Sequence, residues 1–207
     1  SAWQQREQQW QSQQANEAAI IQLSIAQSQL ALRNQALMAA RSLAEDPDTR
    51  RLIRRIKTLT VSQPDNRAEI LRLRAQLRSD LNGVWSILQR GGAQMLQVHL
   101  SDPARSLLRM QEEPDPIDVP PDNGRPLLLD ALASGQEQSA MQSGSLGVRQ
   151  AAVVPIFSKD GDGSSPVATI EVGFYVLPKQ LADTVSAEID IALLIPPSAL
   201  SGQSKLA

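Results

Sequence analysis

What most narrows the folds open to this chain is a change of hydrophobic period at Gly91-Gly92. Upstream, Ile70, Leu73, Leu77, Leu81, Val84 and Leu88 recur at spacings of three and four, which predicts a one-faced amphipathic helix ended by the paired glycines. Asn66, with Glu69 three residues on, has the capping-box pattern for its start. Downstream the period becomes two. Leu96, Val98 and Leu100 alternate with Gln97 and His99. Later, Ala168, Ile170, Val172, Phe174 and Val176 alternate with Thr169, Glu171 and Tyr175. Such alternation marks half-buried strands. Ala151 to Ser158 is a third β-rich run, followed by the turn signal Asp160-Gly161-Asp162-Gly163. The expectation is an α+β protein. A helical stem and cover spans residues 1–92, an antiparallel sheet domain of about five strands spans 93–200, and a flexible tail spans 201–207. Helices cover the apolar face of the sheet and leave a more polar face over.

Residues 3–45 contain neither Pro nor Gly and are rich in Gln, Ala and Leu, which predicts a helix about 60 Å long. Its apolar residues form two stripes. One is Ala19, Leu23, Ala26, Leu30, Leu37, Ala40 and Ala44; the other is Ile21, Ile25, Leu32, Ala39 and Leu43. A surface helix needs one stripe. Two imply burial in a bundle, or one face on the helix's own domain and one on a second copy. The polar first turns (Gln4, Gln5, Gln8, Gln9) favour a projecting stem and a homodimer, with the Ile21–Ile25 stripe facing the copy.

Asp48 is placed to cap a short helix from Thr49 to Leu59, with a loop from Val61 to Pro64. Its Arg50-Arg51-Leu52-Ile53-Arg54-Arg55 could be read as a nucleic-acid patch. A solvated helix face that turns Leu52, Ile53 and Ile56 inward is the better account, because acidic residues surround the run and no recognition motif accompanies it. Ser101-Asp102-Pro103 turns the chain into Arg105 to Met110. The segment from Glu112 to Arg125 is too Pro-rich for regular structure, and Pro126 opens a helix that Gly135 ends. The polar stretch from Gln136 to Ser145 leads into the paired strands. Lys179 to Glu188 can form a last helix, and Ile189 to Ile195 is a compact apolar run.

Composition removes whole classes of function. With no Cys there is no disulfide and no thiolate metal site, and one His cannot build an ordinary zinc enzyme. A net charge of −2 gives no general pull towards nucleic acid, and 3% aromatics are too few for base-stacking platforms. No run of 18 apolar residues suggests a membrane span. Ser106 near His99 lacks the Gly-x-Ser-x-Gly elbow of a hydrolase, and Asp160-x-Asp162 lacks the remainder of a calcium loop. No cofactor and no enzymatic activity are expected of this chain.

The order of motifs resembles the Cache/PAS-like sensor regions of bacterial membrane receptors, in particular the double-Cache family with a long N-terminal helix. These occur in chemotaxis receptors, sensor kinases and diguanylate cyclases. The similarity rests on His99-Leu100 followed by Ser106-Leu107-Leu108-Arg109, on Arg125 after an acidic loop, and on Gly144, Gly147, Arg149 and Pro155. It also includes the Leu37 to Pro47 end of the stem and the Glu-Val-Gly of the last strand, and covers roughly residues 20 to 178. Leu107 stands where the family tends to have Phe, and the acidic Gly-Asp usual in its middle loop is missing. The resemblance implies an extracytoplasmic ligand-sensing domain, periplasmic in location and anchored in the membrane in the full protein. Its signal would pass down the stem to a cytoplasmic output module. Haem, which some relatives hold through Cys-x-x-Cys-His, is excluded by the lack of Cys.

For His99, Arg109, Arg125, Arg149 and Glu171 two readings stand. In one they form a structural network, with Arg149 or Arg109 paired to Glu171 across strands. In the other they line a pocket over the polar face, where Arg109 or Arg149 forks a carboxylate or other anion while Trp85, His99 and Tyr175 complete the wall. Strand parity puts Arg109 on the face of Leu107, and Glu171 on that of Tyr175. The functional candidates are therefore a sensor domain that binds a small anionic molecule, a structural dimerisation scaffold, and, remotely, a nucleic-acid binder.

Overall fold

The computed structural model describes residues 2–62, 66–112, 120, 125–144, 147–159 and 165–176. Three helices come first: α1 (Ala2–Glu45), α2 (Pro47–Ser62) and α3 (Arg67–Arg90). They lead into β1 (Ala93–Leu100), β2 (Arg105–Arg109), α4 (Pro126–Ser134), β3 (Gln138–Gly144), β4 (Gly147–Phe157) and β5 (Pro166–Tyr175). The strands form one antiparallel sheet in the order β2-β1-β5-β4-β3. The architecture is the expected α+β arrangement of a long N-terminal helix and helical cover on an antiparallel sheet.

Local chemistry sets the helix ends, with some departures from expectation. Pro47 disfavours helical geometry at Asp46, so α1 stops at Glu45 and α2 begins with Pro at its first position. Asp46, rather than Asp48, is the cap: its Oδ2 accepts the Thr49 N–H at 2.7 Å, which holds its carboxyl below the usual carboxylate range. α2 runs on to Ser62, past the expected end at Leu59. The capping box of α3 does not form. Asn66 makes no side-chain cap bond, and Glu69 instead pairs with Arg72 at 2.8 Å. The polar stretch after Gln136 contains β3, an edge strand with a single neighbour.

The alternation of β1 and β5 does what the sequence demands. Leu96, Val98, Ile170, Val172 and Phe174, with Ala152 and Ile156 of β4, turn one face into the main core. Ile53 and Ile56 of α2, Leu73, Leu77, Leu81 and Trp85 of α3, and Ala36, Ala40 and Leu43 of α1 close over it. Each large side chain fully buried there contributes on the order of 2 kcal/mol. Ala36, Ala40 and Ala44 let α1 lie close to β4 and β5. The Arg-rich run of α2 is partly spent on the sheet. Arg54 Nε donates to the Phe157 carbonyl at 2.7 Å, and Lys57 Nζ to the carbonyls of Ser101 and Asp102. Burial pushes the Lys57 ammonium below its ordinary range, partly offset by Asp102.

From Ala36 onwards α1 is packed on both apolar stripes. Before that point they part company. Leu32 packs against the core and Ile21 and Ile25 are partly buried, whereas Ile20, Leu23 and Leu30 are 65%, 60% and 56% exposed. The Leu23–Leu30 stripe is thus more exposed than the Ile21–Ile25 stripe expected to face a second copy. No helix among the described residues is long and apolar enough to cross a membrane. The turn at Asp160 to Gly163, the helix from Lys179, the Ile189 run and the 201–207 tail lie outside the described residues.

Candidate functional site on the polar face of the sheet

The second face of the sheet is built in rows. Across β2, β1, β5 and β4, one row reads Arg109, Gln97, Glu171 and Val153, and the next reads Ser106, His99, Thr169 and Pro155. Towards the other end of β5 come Met95, Gly173 and Ala151, then Tyr175 opposite Arg149. A bulge in the β1–β2 pairing, between Val98 and His99, sets three β2 residues against two of β1. Arg109 therefore shares its face with Ser106, not with Leu107, which is buried in the main core. That corrects the strict-parity expectation. Helix α4 covers part of this face, packing Leu127, Leu128 and Ala131 on Met95, Ala151 and Val153. Gly135, at φ 66, ends it in the left-handed region.

Arg125, immediately before α4, reaches over the sheet from this helix. Its Nη1 donates to Glu171 Oε2 at 3.0 Å and to Gln97 Oε1, and lies 3.2 Å from His99 Nε2. Glu171 is only 1% exposed, and a carboxylate so buried requires a cation and further hydrogen bonds to remain charged. Arg125 supplies the cation and one hydrogen bond, so the ion-pair partner of Glu171 is neither Arg109 nor Arg149 as expected. Arg109 instead donates to Ser106 Oγ at 3.1 Å and pairs with Glu112 at 3.2 Å.

A guanidinium can only donate, so His99 Nε2 accepts and its proton sits on Nδ1. Burial, reinforced by the charges of Arg125 and Arg109, pushes the His99 imidazolium down to about 3 and keeps the ring neutral. Arg149 lies on the same face, and burial lowers its guanidinium from the usual range against the pull of Glu171. His99 Nδ1, Thr169 Oγ1 and Arg149 Nε are buried without a hydrogen-bond partner among the described residues.

Of the residues expected at the site, the structure brings His99, Arg109, Arg125, Arg149, Glu171 and Tyr175 to one face. Trp85 is elsewhere. It is 5% exposed and packed with Leu77 and Leu81 in the main core, on the other side of the sheet. The sequence reading weighed Ser106 only as a nucleophile and passed over Gln97 and Thr169, although the alternation that flagged His99 and Glu171 also puts Gln97 and Thr169 beside them. Chemically the set is a polar face rich in fixed donors. His99 accepts from Arg125 and Ser106 from Arg109, so neither is arranged as a base and nucleophile pair. No cluster of metal-ligating side chains occurs among the described residues.

No protein-family model and no curated protein matches the chain. Among solved structures it is similar to the crystal structure of the E. coli DcuS sensor domain, at 17% identity and a TM-score of 0.45, covering 77% of this chain and 98% of that one.

Proposed function

We propose that this chain is the extracytoplasmic ligand-sensing domain of a bacterial transmembrane signalling receptor. It binds a small molecule with an anionic group on the polar face of the sheet. The signal leaves through α1 and the C-terminal connection to a cytoplasmic output module. The observation that carries this reading is the convergence of Arg109, Arg125 and Arg149 on one sheet face, beside a neutral His99, with Glu112 and Glu171 as their paired carboxylates among the described residues. Guanidinium groups held on strands and at a helix start are pre-organised donors for a carboxylate. The chain itself carries out no catalysis in this reading, and its location is periplasmic. The free Ile20, Leu23 and Leu30 stripe of α1 supports association with a second copy through the stem.

A scaffold without a ligand is the second reading, favoured by one observation: Arg125, Glu171, Gln97 and His99 already satisfy one another. Thermal shift against amino acids, organic acids and other small metabolites separates the two. A ligand at 100 times its Kd stabilises the fold by about 2.7 kcal/mol, a rise of roughly 5–10 °C for a chain of this size. Arg149→Ala or Arg109→Ala should abolish the rise. A broad screen without a hit would support the scaffold.

A further inference from the structure

Gly173 occupies the middle of the polar face, on β5 between Glu171 and Tyr175, with Met95 beside it on β1 and Ala151 on β4. It is not there for backbone freedom, because its φ is not in the positive region that disfavours other residues. The reason is space. A Cβ at this position would stand 3.1 Å from Arg149 Cδ, 3.1 Å from Met95 Cε and 3.4 Å from Met95 Cβ. Arg149 leaves β4 opposite Tyr175, a row pair away from Glu171. Its stem must pass over position 173 to bring the guanidinium towards Glu171, and the opposite charge of Glu171 draws it there.

We propose that Gly173 is a positioning residue of the site: its missing side chain leaves the channel in which the Arg149 stem lies, and so makes Arg149 the cation that meets the ligand's anionic group. Arg125 and Arg109 are each held by a carboxylate of the chain, whereas Arg149 has its buried Nε unpartnered among the described residues. The assignment rests on the anion-binding reading above, but its test needs no ligand.

The atoms met by the added methyl belong to the side chains of Arg149 and Met95, so Gly173→Ala should fold with those two displaced. The probe is phenylglyoxal, which modifies accessible guanidinium groups, applied to the whole chain with the modified arginines mapped by mass spectrometry. Relative to exposed Arg51, modification of Arg149 should rise several-fold in Gly173→Ala while Arg125 and Arg109 stay as in the parent protein. An unchanged Arg149 rate in a variant with native far-UV circular dichroism would overturn the proposal. Should Gly173→Ala melt far below the parent or fail to fold, Gly173→Ala with Arg149→Ala should regain part of the loss, because the crowded stem is gone while Met95 remains. Strictly additive losses would overturn it equally. A metabolite screen that stabilises nothing, with the phenylglyoxal result as expected, would strike the anion reading and leave the Gly173 geometry standing.

Discussion

Lowering the pH from 8 to 5 should destabilise the protein through His99, and a single histidine in the chain makes the effect separable. The folded imidazole is held neutral, its pKa pushed down to about 3 by burial and by the charges of Arg125 and Arg109. In the unfolded chain it returns to about 6.5. The unfolded state therefore binds the proton first, and stability present above pH about 6.5 is lost as the pH falls towards 3. At pH 5 the unfolded imidazole is almost fully charged and the folded one is not, which makes the loss about 2 kcal/mol, or a melting shift of roughly 4–8 °C. Urea unfolding of the parent and of His99→Gln across this range isolates the contribution. The parent should lose about 2 kcal/mol more than the variant between pH 8 and 5. The imidazole Cε1 proton, the only one of its kind, should show no titration between pH 5 and 8. Equal pH slopes in the two proteins, or a folded-state midpoint near 6.5, would refute the burial argument.

Three further outcomes follow from the same contacts. Arg125→Ala should cost about 3–5 kcal/mol in denaturant unfolding, because it leaves Glu171 buried and unpaired, and adding Glu171→Gln should recover part of the loss. Trp85→Ala should cost about 3–5 kcal/mol yet leave any ligand-induced melting shift as large as in the parent, since Trp85 packs on the other side of the sheet. Leu23→Glu with Leu30→Glu should keep the helical circular dichroism and convert a dimer to a monomer by light scattering. The exposed Leu23–Leu30 stripe predicts that result, and a parent protein monomeric at high concentration would count against it.

What could be read from the sequence, and what could not, follows from how each residue is held. The strands and the face of His99 and Glu171 were legible because the main apolar core takes one face of β1 and β5 while polar side chains occupy the other at positions 97, 99, 169 and 171. Position 85 was legible as well, four residues after Leu81 and on the same helical stripe, so placing Trp85 in the pocket wall overlooked a signal that was there. The bulge opposite Val98 and His99 leaves no mark in the hydrophobic pattern, and it alone moves Arg109 to the face of Ser106. Arg125 could not be matched to Glu171 because it follows a Pro-rich segment without periodicity, which fixes no register with the sheet. The two stripes of α1 are similarly apolar, so only tertiary packing could show that Leu32 goes inward and Leu30 stays out. The strand β3 was missed because an edge strand with one neighbour needs few apolar residues.

The central claim, that guanidinium groups on the polar face read an anionic group, is tested most directly by calorimetric titration of a screened carboxylate beside its uncharged primary amide. Both are measured on the parent and on Arg149→Ala. A hydrogen bond to a charged group is worth about 1.5–3 kcal/mol, so the parent should prefer the acid by at least roughly tenfold. In Arg149→Ala that preference should collapse towards parity. An amide that binds the parent as tightly as the acid, or an acid preference that survives undiminished in Arg149→Ala, would contradict the account.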